Sequence, residues 1–519
     1  MSVHLSLARA AQVNPGGAAV IVGRERRNWR QFADRVARRA RALRERLGLA
    51  PGELIAVIAS NVPEHVEIAY ASFWAELVLV PINWRLSQPE QVQILKHAGC
   101  TAIVSDRRYA ERAQALAQAA GGLRADVLTP IAEWDRAGDP LAGLGALPLP
   151  QTGPMAPAAI FYTGGTTGLP KGVELSHLSL LVQGSNTSHE ARFDASTVYM
   201  HAAPLFHLGD FAAGLAVTTT ASAHTFLPEF SPEAVLDSIE HEGTNVLMMV
   251  PTMIPMLLDA AGPRKHLLDR VRTVLYGAAP IQEPVLRRMM AELPTVGLIQ
   301  MYGQTEVGGA CTVLQVERHV LEGPLAGKTN SAGHATATFL MRVTDDDGRE
   351  LPPGQPGEIS VRGPGMMLGY WKDPQLTEAT IRDGWLHTGD IGIFDEDGFV
   401  TIAGRLKDMI ITGGENVFAG EVESALMYHP AVAEAAVIGV PDPKWGETVH
   451  AVVVPKPGAA PDPQELIAHC RTLIAGYKCP RTVEIRRASL PLSGVGKVRK
   501  NELREEWNEA HKGASNVVQ

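Results

Sequence analysis

The chain has 519 residues, 45% hydrophobic and 20% charged, with 47 Lys+Arg against 56 Asp+Glu for a net charge of −9. Those values exclude a wholly disordered or fibrous chain, and the acidic balance argues against general binding to nucleic acid or acidic membrane. Length alone points to more than one domain.

In chain order, the N-terminal run MSVHLSLARAAQVNPGG lacks an apolar h-region, so no signal peptide is expected. Asn28 is placed to cap a helix carrying Phe32, Val36, Ala40, Leu43 and Leu47 on one face, with Gly48 closing it. The other face holds Arg26, Arg27, Arg30, Arg35, Arg38, Arg39, Arg41, Arg44 and Arg46, read as a solvated outer face in preference to a nucleic-acid patch. An apolar run at 54–59, a turn at 61–63, a helical pattern, a strand-like run at 77–81, a helix at 88–97 and a strand at 101–105 follow. Strands alternating with helices predict parallel sheets covered on both sides. The most apolar stretches, 70–84 and 247–262, are broken by Glu76 or by Pro251 and Pro255. Neither reaches the about 18 apolar residues of a spanning helix. Cys100, Cys311, Cys470 and Cys479 form no CxxC pair, which reads as reduced thiols in a cytoplasmic protein.

No fixed-period repeat is found, and the turn-rich LPPGQPG at 351–357 places a β-rich subdomain near 330–400. From Arg405 the pattern restarts as an α+β unit: strand 409–412, helix 421–428, strands 435–440 and 449–454, helix 464–475, strand 483–486. The expectation is a large α/β N-terminal domain, 1–404, and a small α+β C-terminal domain, 405–519.

The chemistry concentrates at 158–177, AAIFYTGGTTGLPKGVELSH. An apolar strand runs into Thr163, Gly164, Gly165, Thr166, Thr167 and Gly168, with Lys171 just beyond. Glycines let backbone N–H groups converge on an anion, hydroxyls add donors and a lysine adds positive charge, which together suit phosphate. Leu169-Pro170 ahead of Lys171 rules out the P-loop spacing.

With this segment, the chain resembles the adenylate-forming acyl-CoA synthetases, which include 4-coumarate–CoA ligases, aryl-CoA ligases and firefly luciferase. The resemblance covers essentially the whole chain and rests on YTGGTTGLPKG (162–172), YGQTE (302–306), HTGD (387–390), GRLKDMI (404–410), GGEN (413–416) and PLSGVGK (491–497), in family order. Gly165 departs from the serine many members carry there.

The resemblance implies ATP, Mg²⁺ and CoA as co-substrates and cofactor, and a two-step reaction. A carboxylate and ATP give acyl-adenylate and pyrophosphate; the acyl group then passes to the CoA thiol and AMP leaves. It implies adenine contacts from Gly277, Ala278, Ala279 and Tyr302, with Tyr276 beside them in the same segment. Thr305 becomes a phosphate donor and Glu306 a hard oxygen ligand for Mg²⁺. Asp390 becomes the acceptor for the ribose hydroxyls, and Arg405 a second ribose contact. Lys497, otherwise an exposed lysine in a glycine loop, resembles the residue bridging the substrate carboxylate and the α-phosphate, and the site of reversible acetylation in some members. Lys407 is either a surface lysine or, by the resemblance, the hinge on which a mobile C-terminal domain turns between half-reactions.

For the acyl group, the resemblance makes His207 a gate beside the carbonyl; a packed core histidine is the alternative. Amino-acid-activating relatives carry aspartate there, so His207 argues against α-amino acids. Met253, Gly308, Gly309 and Ala310 are candidate pocket walls, with Met248, Met249 and Met256 either lining the same wall or filling a Met-rich core. Gly413, Gly414 and Trp445 match positions near pantetheine, and Lys478 and Arg481 are candidates for CoA phosphates. The absence of ionic groups from these segments favours a medium- or long-chain fatty acid, with a benzoate- or cinnamate-type aryl acid second. A non-catalytic acyl- or nucleotide-binding relative is disfavoured by the joint presence of Lys171, Glu306, Asp390 and Lys497. A carrier-protein pantetheine is the alternative acceptor. Oligomeric state, a homodimer included, is not written in the sequence.

Overall fold

A computed structural model describes residues 2–164, 170–277, 281, 283–492 and 498–511. The chain packs as two compact units: one of 1–278, 288–341 and 361–386, the other of 279–287, 342–360 and 387–519.

The first unit is built on two large sheets. One has seven strands in the order Gly369–Tyr370, Lys171–Ser176, Pro157–Thr163, Val78–Pro81, Leu54–Ile58, Ala102–Ser105 and Arg124–Val127. Leu54–Ile58 pairs in parallel with both neighbours and is buried at every position, as a strand covered on both faces must be. Pro157–Thr163 and Lys171–Ser176 form an antiparallel hairpin, with Thr163 facing Lys171 across the tip. The other sheet has nine strands in the order His334–Ala335, Gly309–Leu314, Gly297–Gln304, Thr273–Gly277, Val246–Met249, Val198–His201, Ala223–Phe226, Ala18–Val22 and Glu25–Asn28. Its middle is parallel and its ends antiparallel.

The helix expected after Asn28 spans Trp29–Glu45. Asn28 Oδ1 accepts from the Gln31 N–H at 2.9 Å and Gln31 Oε1 accepts from the Asn28 N–H at 3.0 Å, a reciprocal cap for two otherwise orphaned donors. Its arginine face is not a solvated surface throughout. Arg35 and Arg39 are buried and share Glu67, at 3.3 and 3.0 Å to Oε1. Arg35 also reaches Asp139 at 2.6 Å and lies 4.4 Å from the Trp134 ring, while Arg39 meets Asp126 at 3.2 Å. Arg38 and Arg41 pair with acids on or beside the helix.

In the second unit, 387–394 pairs antiparallel with Val400–Arg405, in the region expected to be β-rich. A further sheet runs Glu415–Phe418, Met409–Thr412, Gly446–Pro455, Val432–Asp442, with Thr482–Ile485 parallel to Gly446–Pro455. Helices Ala419–Met427 and Pro463–Leu473 cover it through Val422, Leu426, Leu466 and Cys470. All four cysteines are buried, and burial pushes the Cys100 and Cys470 thiols up to about 12. Among the described residues, no helix is long and apolar enough to cross a membrane.

Candidate active site

In the first unit the hairpin tip brings Lys171 to the start of its strand. Gly165, Thr166, Thr167 and Gly168 of the glycine-threonine loop lie outside the described residues. Gly172 cannot carry a side chain: a Cβ there would sit 2.9 Å from Ile160 and 3.2 Å from Trp371. Trp371 donates its N–H to the Gly172 carbonyl at 2.7 Å, and Leu368 donates to Glu174 at 2.8 Å, so 368–371 is strapped onto the hairpin. The strap carries Tyr370. Its hydroxyl donates to Glu306 Oε1 at 2.9 Å, and the Lys171 ammonium lies 5.5 Å from its ring centroid. Burial, and then the Glu306 charge, raise the Tyr370 phenol well above its ordinary range, so it remains a donor at neutral pH. One tyrosine thus joins two residues from separate sequence motifs, and sequence reasoning missed it.

Glu306 sits in a short 3₁₀ turn, Thr305–Val307, that follows strand Gly297–Gln304. The turn closes on Gly308 at φ +76°, where a Cβ would lie 2.2 Å from the Gly365 carbonyl oxygen, so only glycine fits. Gln183 donates to the Val307 carbonyl at 2.9 Å and fixes the turn from the side. Gly277 pairs with Met301, whose carbonyl oxygen would be 2.2 Å from a Cβ on Gly277. Tyr302 follows, half-buried, on that same strand. Ala278 and Ala279 lie outside the described residues. Tyr276 is fully interior, its hydroxyl 2.8 Å from His319 Nε2, so it packs inside the sheet.

His207 precedes helix Leu208–Thr219, and its carbonyl accepts from Phe211 N–H at 3.3 Å. The next acidic residue, Asp210, is buried with both oxygens engaged: Oδ1 by the Tyr199 hydroxyl at 2.7 Å and Oδ2 by His201 Nδ1 at 2.5 Å. A Cβ on Gly309 would fall 3.5 Å from Ala212 of this helix, so the Gly308–Gly309 turn and the His207 helix are neighbours. The methionines do not share a wall. Met248 comes within 3.3 Å of where a Gly209 Cβ would be, Met249 lines a separate apolar cavity with Leu257 and Val274, and Met256 is 52% exposed. Met253 opens the helix Met253–Ala261, half-buried.

In the second unit, Asp390 is buried and pairs with Arg405 directly across two antiparallel strands, Oδ1 to Nε at 3.1 Å. The turn before it is held by Glu358, a residue the sequence did not single out. Glu358 Oε2 meets His387 Nδ1 at 2.8 Å, and Oε1 accepts from the Gly389 N–H at 3.0 Å, where φ is +68°. Lys407 lies exposed in a short turn, Leu406–Asp408. Its ammonium is drawn below its ordinary value by partial desolvation and then by Arg405. Gly413 has φ +61°, and a Cβ on it would meet the Trp445 ring at 2.6 Å; Gly414 has φ +89° and open surroundings. Arg481 lies 4.9 Å from the same ring and Lys444 4.7 Å, so Trp445 carries two cations. Lys478 instead holds both oxygens of Glu421 at 2.8 Å. Lys497 lies outside the described residues.

The chain matches the family model for the AMP-binding enzyme over residues 7–371 and that for the AMP-binding enzyme C-terminal domain over 421–497. It is 37% identical to a feruloyl-CoA synthase from an Amycolatopsis species over 96% of this chain and 98% of that one. It is 34% identical to a fatty acid–[acyl-carrier-protein] ligase from Streptomyces coeruleorubidus, over 96% and 95%. The fold is similar to that of ATP-bound MatB from Rhodopseudomonas palustris, with TM-score 0.88 at 31% identity over 98% of this chain and 100% of that one.

Proposed function

The chain belongs to the AMP-binding enzyme family and is an AMP-forming acid–CoA ligase using ATP and CoA, and from that premise we propose roles for its residues and a class of acid. In the first unit, Lys171 and the 163–168 loop receive the triphosphate, Thr305 donates to phosphate, and Gly277 with Tyr302 lets the adenine lie against bare backbone. In the second, Asp390 accepts from the ribose hydroxyls, and Arg405, paired with that carboxylate at 3.1 Å, is the second ribose contact. Lys497 brings positive charge to the pentavalent centre as a carboxylate oxygen attacks the α-phosphorus and pyrophosphate departs. Gly413, Gly414 and Trp445 guide the pantetheine thiol to the acyl carbonyl, from which AMP leaves, and Arg481 is the better placed of the two cations for a CoA phosphate.

The donor set fits a divalent cation carried in by the nucleotide. Among the described residues no cluster of three or more His, Cys, Asp or Glu would hold a metal alone. One buried carboxylate with an oxygen already fixed is what Mg²⁺ uses when phosphates and water fill its other positions. Glu306 would hold it, and when bound it screens the charge of the phosphate oxygens.

The acid is an apolar monocarboxylate, and the reading carried from the sequence is a medium- or long-chain fatty acid. The supporting observation is Asp210, three residues after His207: it spends both oxygens on Tyr199 and His201, so it is not available to a substrate ammonium, which favours an acid without an α-amino group. The feruloyl-CoA synthase likeness supports an aryl acid as the second reading. Pyrophosphate release measured across C6 to C16 fatty acids, ferulate, benzoate and an α-amino acid decides between them. Highest kcat/KM on a fatty acid supports the first reading, highest on ferulate or benzoate replaces it with the second, and turnover of the amino acid refutes both. Asp390→Ala should raise the ATP KM at least about ten-fold, the loss of hydrogen bonds to a charged acceptor. Unchanged ATP kinetics would remove Asp390 from the ribose site.

A further inference from the structure

Tyr370 lies against both Glu306 and Lys171, the charged groups assigned to the triphosphate and its cation, and three features restrict its motion. Its strand pairs Gly369 with Glu174 and itself with Val173. Its N–H donates to Thr377 Oγ1 at 2.8 Å, and that hydroxyl donates on to the Asp373 carbonyl at 2.8 Å. Met367, three residues earlier, donates its N–H to the backbone carbonyl of Glu306 at 2.9 Å, so the strap holds both main chain and side chain of the acid. A side chain anchored this firmly loses little further entropy when it orients a partner.

The two contacts act on different parts of the ring. The hydroxyl fixes Glu306 Oε1, which leaves the carboxylate one orientation and its second oxygen for a cation. The ring face attracts the Lys171 ammonium, an interaction that depends on the π-system and not on the hydroxyl. A free lysine on a four-carbon stem would sample many rotamers; one drawn to an aromatic face is held near the hairpin tip.

We propose that Tyr370 is a positioning residue for the phosphate end of the site: its hydroxyl sets Glu306 for a nucleotide-borne divalent cation, and its ring sets Lys171 for the phosphates themselves. This rests on the assignment of Glu306 and Lys171 to the triphosphate. The separation of hydroxyl and ring makes two variants informative. Tyr370→Phe keeps the ring and removes the donor; Tyr370→Leu removes both.

The test is equilibrium binding of a fluorescent, non-hydrolysable ATP analogue to the full chain, with and without Mg²⁺, beside Glu306→Gln. Tyr370→Phe should raise the Mg²⁺ concentration for half-maximal enhancement of binding about ten-fold, the loss of one hydrogen bond to a charged group, and leave metal-free binding unchanged. Tyr370→Leu should show that shift and also weaken metal-free binding about five-fold through Lys171. If Tyr370→Phe matches the parent while Glu306→Gln abolishes the Mg²⁺ enhancement, Tyr370 only packs and the inference fails. If Glu306→Gln keeps the full enhancement, the assignment of Glu306 itself fails. Equal weakening by Phe and Leu with and without Mg²⁺, together with a lowered melting temperature, would mark a structural role and overturn the proposal.

Discussion

Two buried arginines, Arg35 and Arg39, are each paired with carboxylates. Glu67 is shared by Arg35 and Arg39, and Asp139 and Asp126 complete the group. Arg35 and Glu67 have fully buried side chains, so removal of one partner strands the others away from water. Arg35→Ala should therefore destabilise the protein by about 3–5 kcal/mol, read as a lower urea midpoint, while kcat per folded molecule stays near the parent value. Arg35→Lys should recover little of that loss, because one ammonium cannot reach Glu67 and Asp139 as a planar fork does. A midpoint within experimental scatter of the parent for the alanine variant would mean that the group relaxes or hydrates. The same residues mark the limit of sequence reading. Helical spacing located the helix and Asn28 its cap, but the acids that bury Arg35 come from distant segments with nothing in their neighbourhood to announce it. Tyr370 and Glu358 escaped for the same reason: each is an ordinary residue until the fold sets it against Glu306 or the 387–389 turn.

Among elements, the short turn Leu406–Asp408 separates strand Val400–Arg405, which carries the Asp390 partner, from strand Met409–Thr412, which leads into Gly413. Asp408 is pinned by Arg504 at 2.9 Å, whereas the exposed Lys407 is the position proposed as the pivot. Proline fixes φ near about −65° and removes the N–H, so it narrows the dihedral change that a pivot must absorb. Lys407→Pro should keep adenylate formation and lower thioester formation from isolated acyl-adenylate on the order of 100-fold. Equal loss of both half-reactions in a folded variant, or no loss, would place the pivot elsewhere. The elements themselves were largely legible. Strand Met409–Thr412 is where the pattern restarts, and the strand–helix alternation of the first third predicts the parallel sheet around Leu54–Ile58. What periodicity could not supply was side: Met248 and Met249 are adjacent letters on one strand, and the pleat sends them to opposite faces.

For the whole molecule, both units bury uncharged histidine. Burial lowers His65, His177, His319 and His450 from 6.5 to about 4, with neighbouring histidines adding to the shift at His65, His177 and His450. Between those two values the unfolded chain binds protons that the fold refuses, so stability is complete above about pH 6.5 and falls as pH drops toward 4. Urea midpoints taken from pH 7.5 to 4.5 should decline with a slope that steepens below pH 6; a flat profile to pH 4.5 would mean these rings find solvent. The buried thiols have a consequence of another kind. An acyl-adenylate is a strong electrophile, and a thiol is the nucleophile it is made to meet. With Cys100, Cys311, Cys470 and Cys479 all interior, the chain withholds its own sulfur from that encounter. Intact-mass measurement after turnover without CoA should find no acyl group on cysteine, and Ellman's reagent should find its thiols only once the chain is unfolded. A cysteine added at an exposed site would then be the sole reactive handle on the native protein, ready for a dye on either unit.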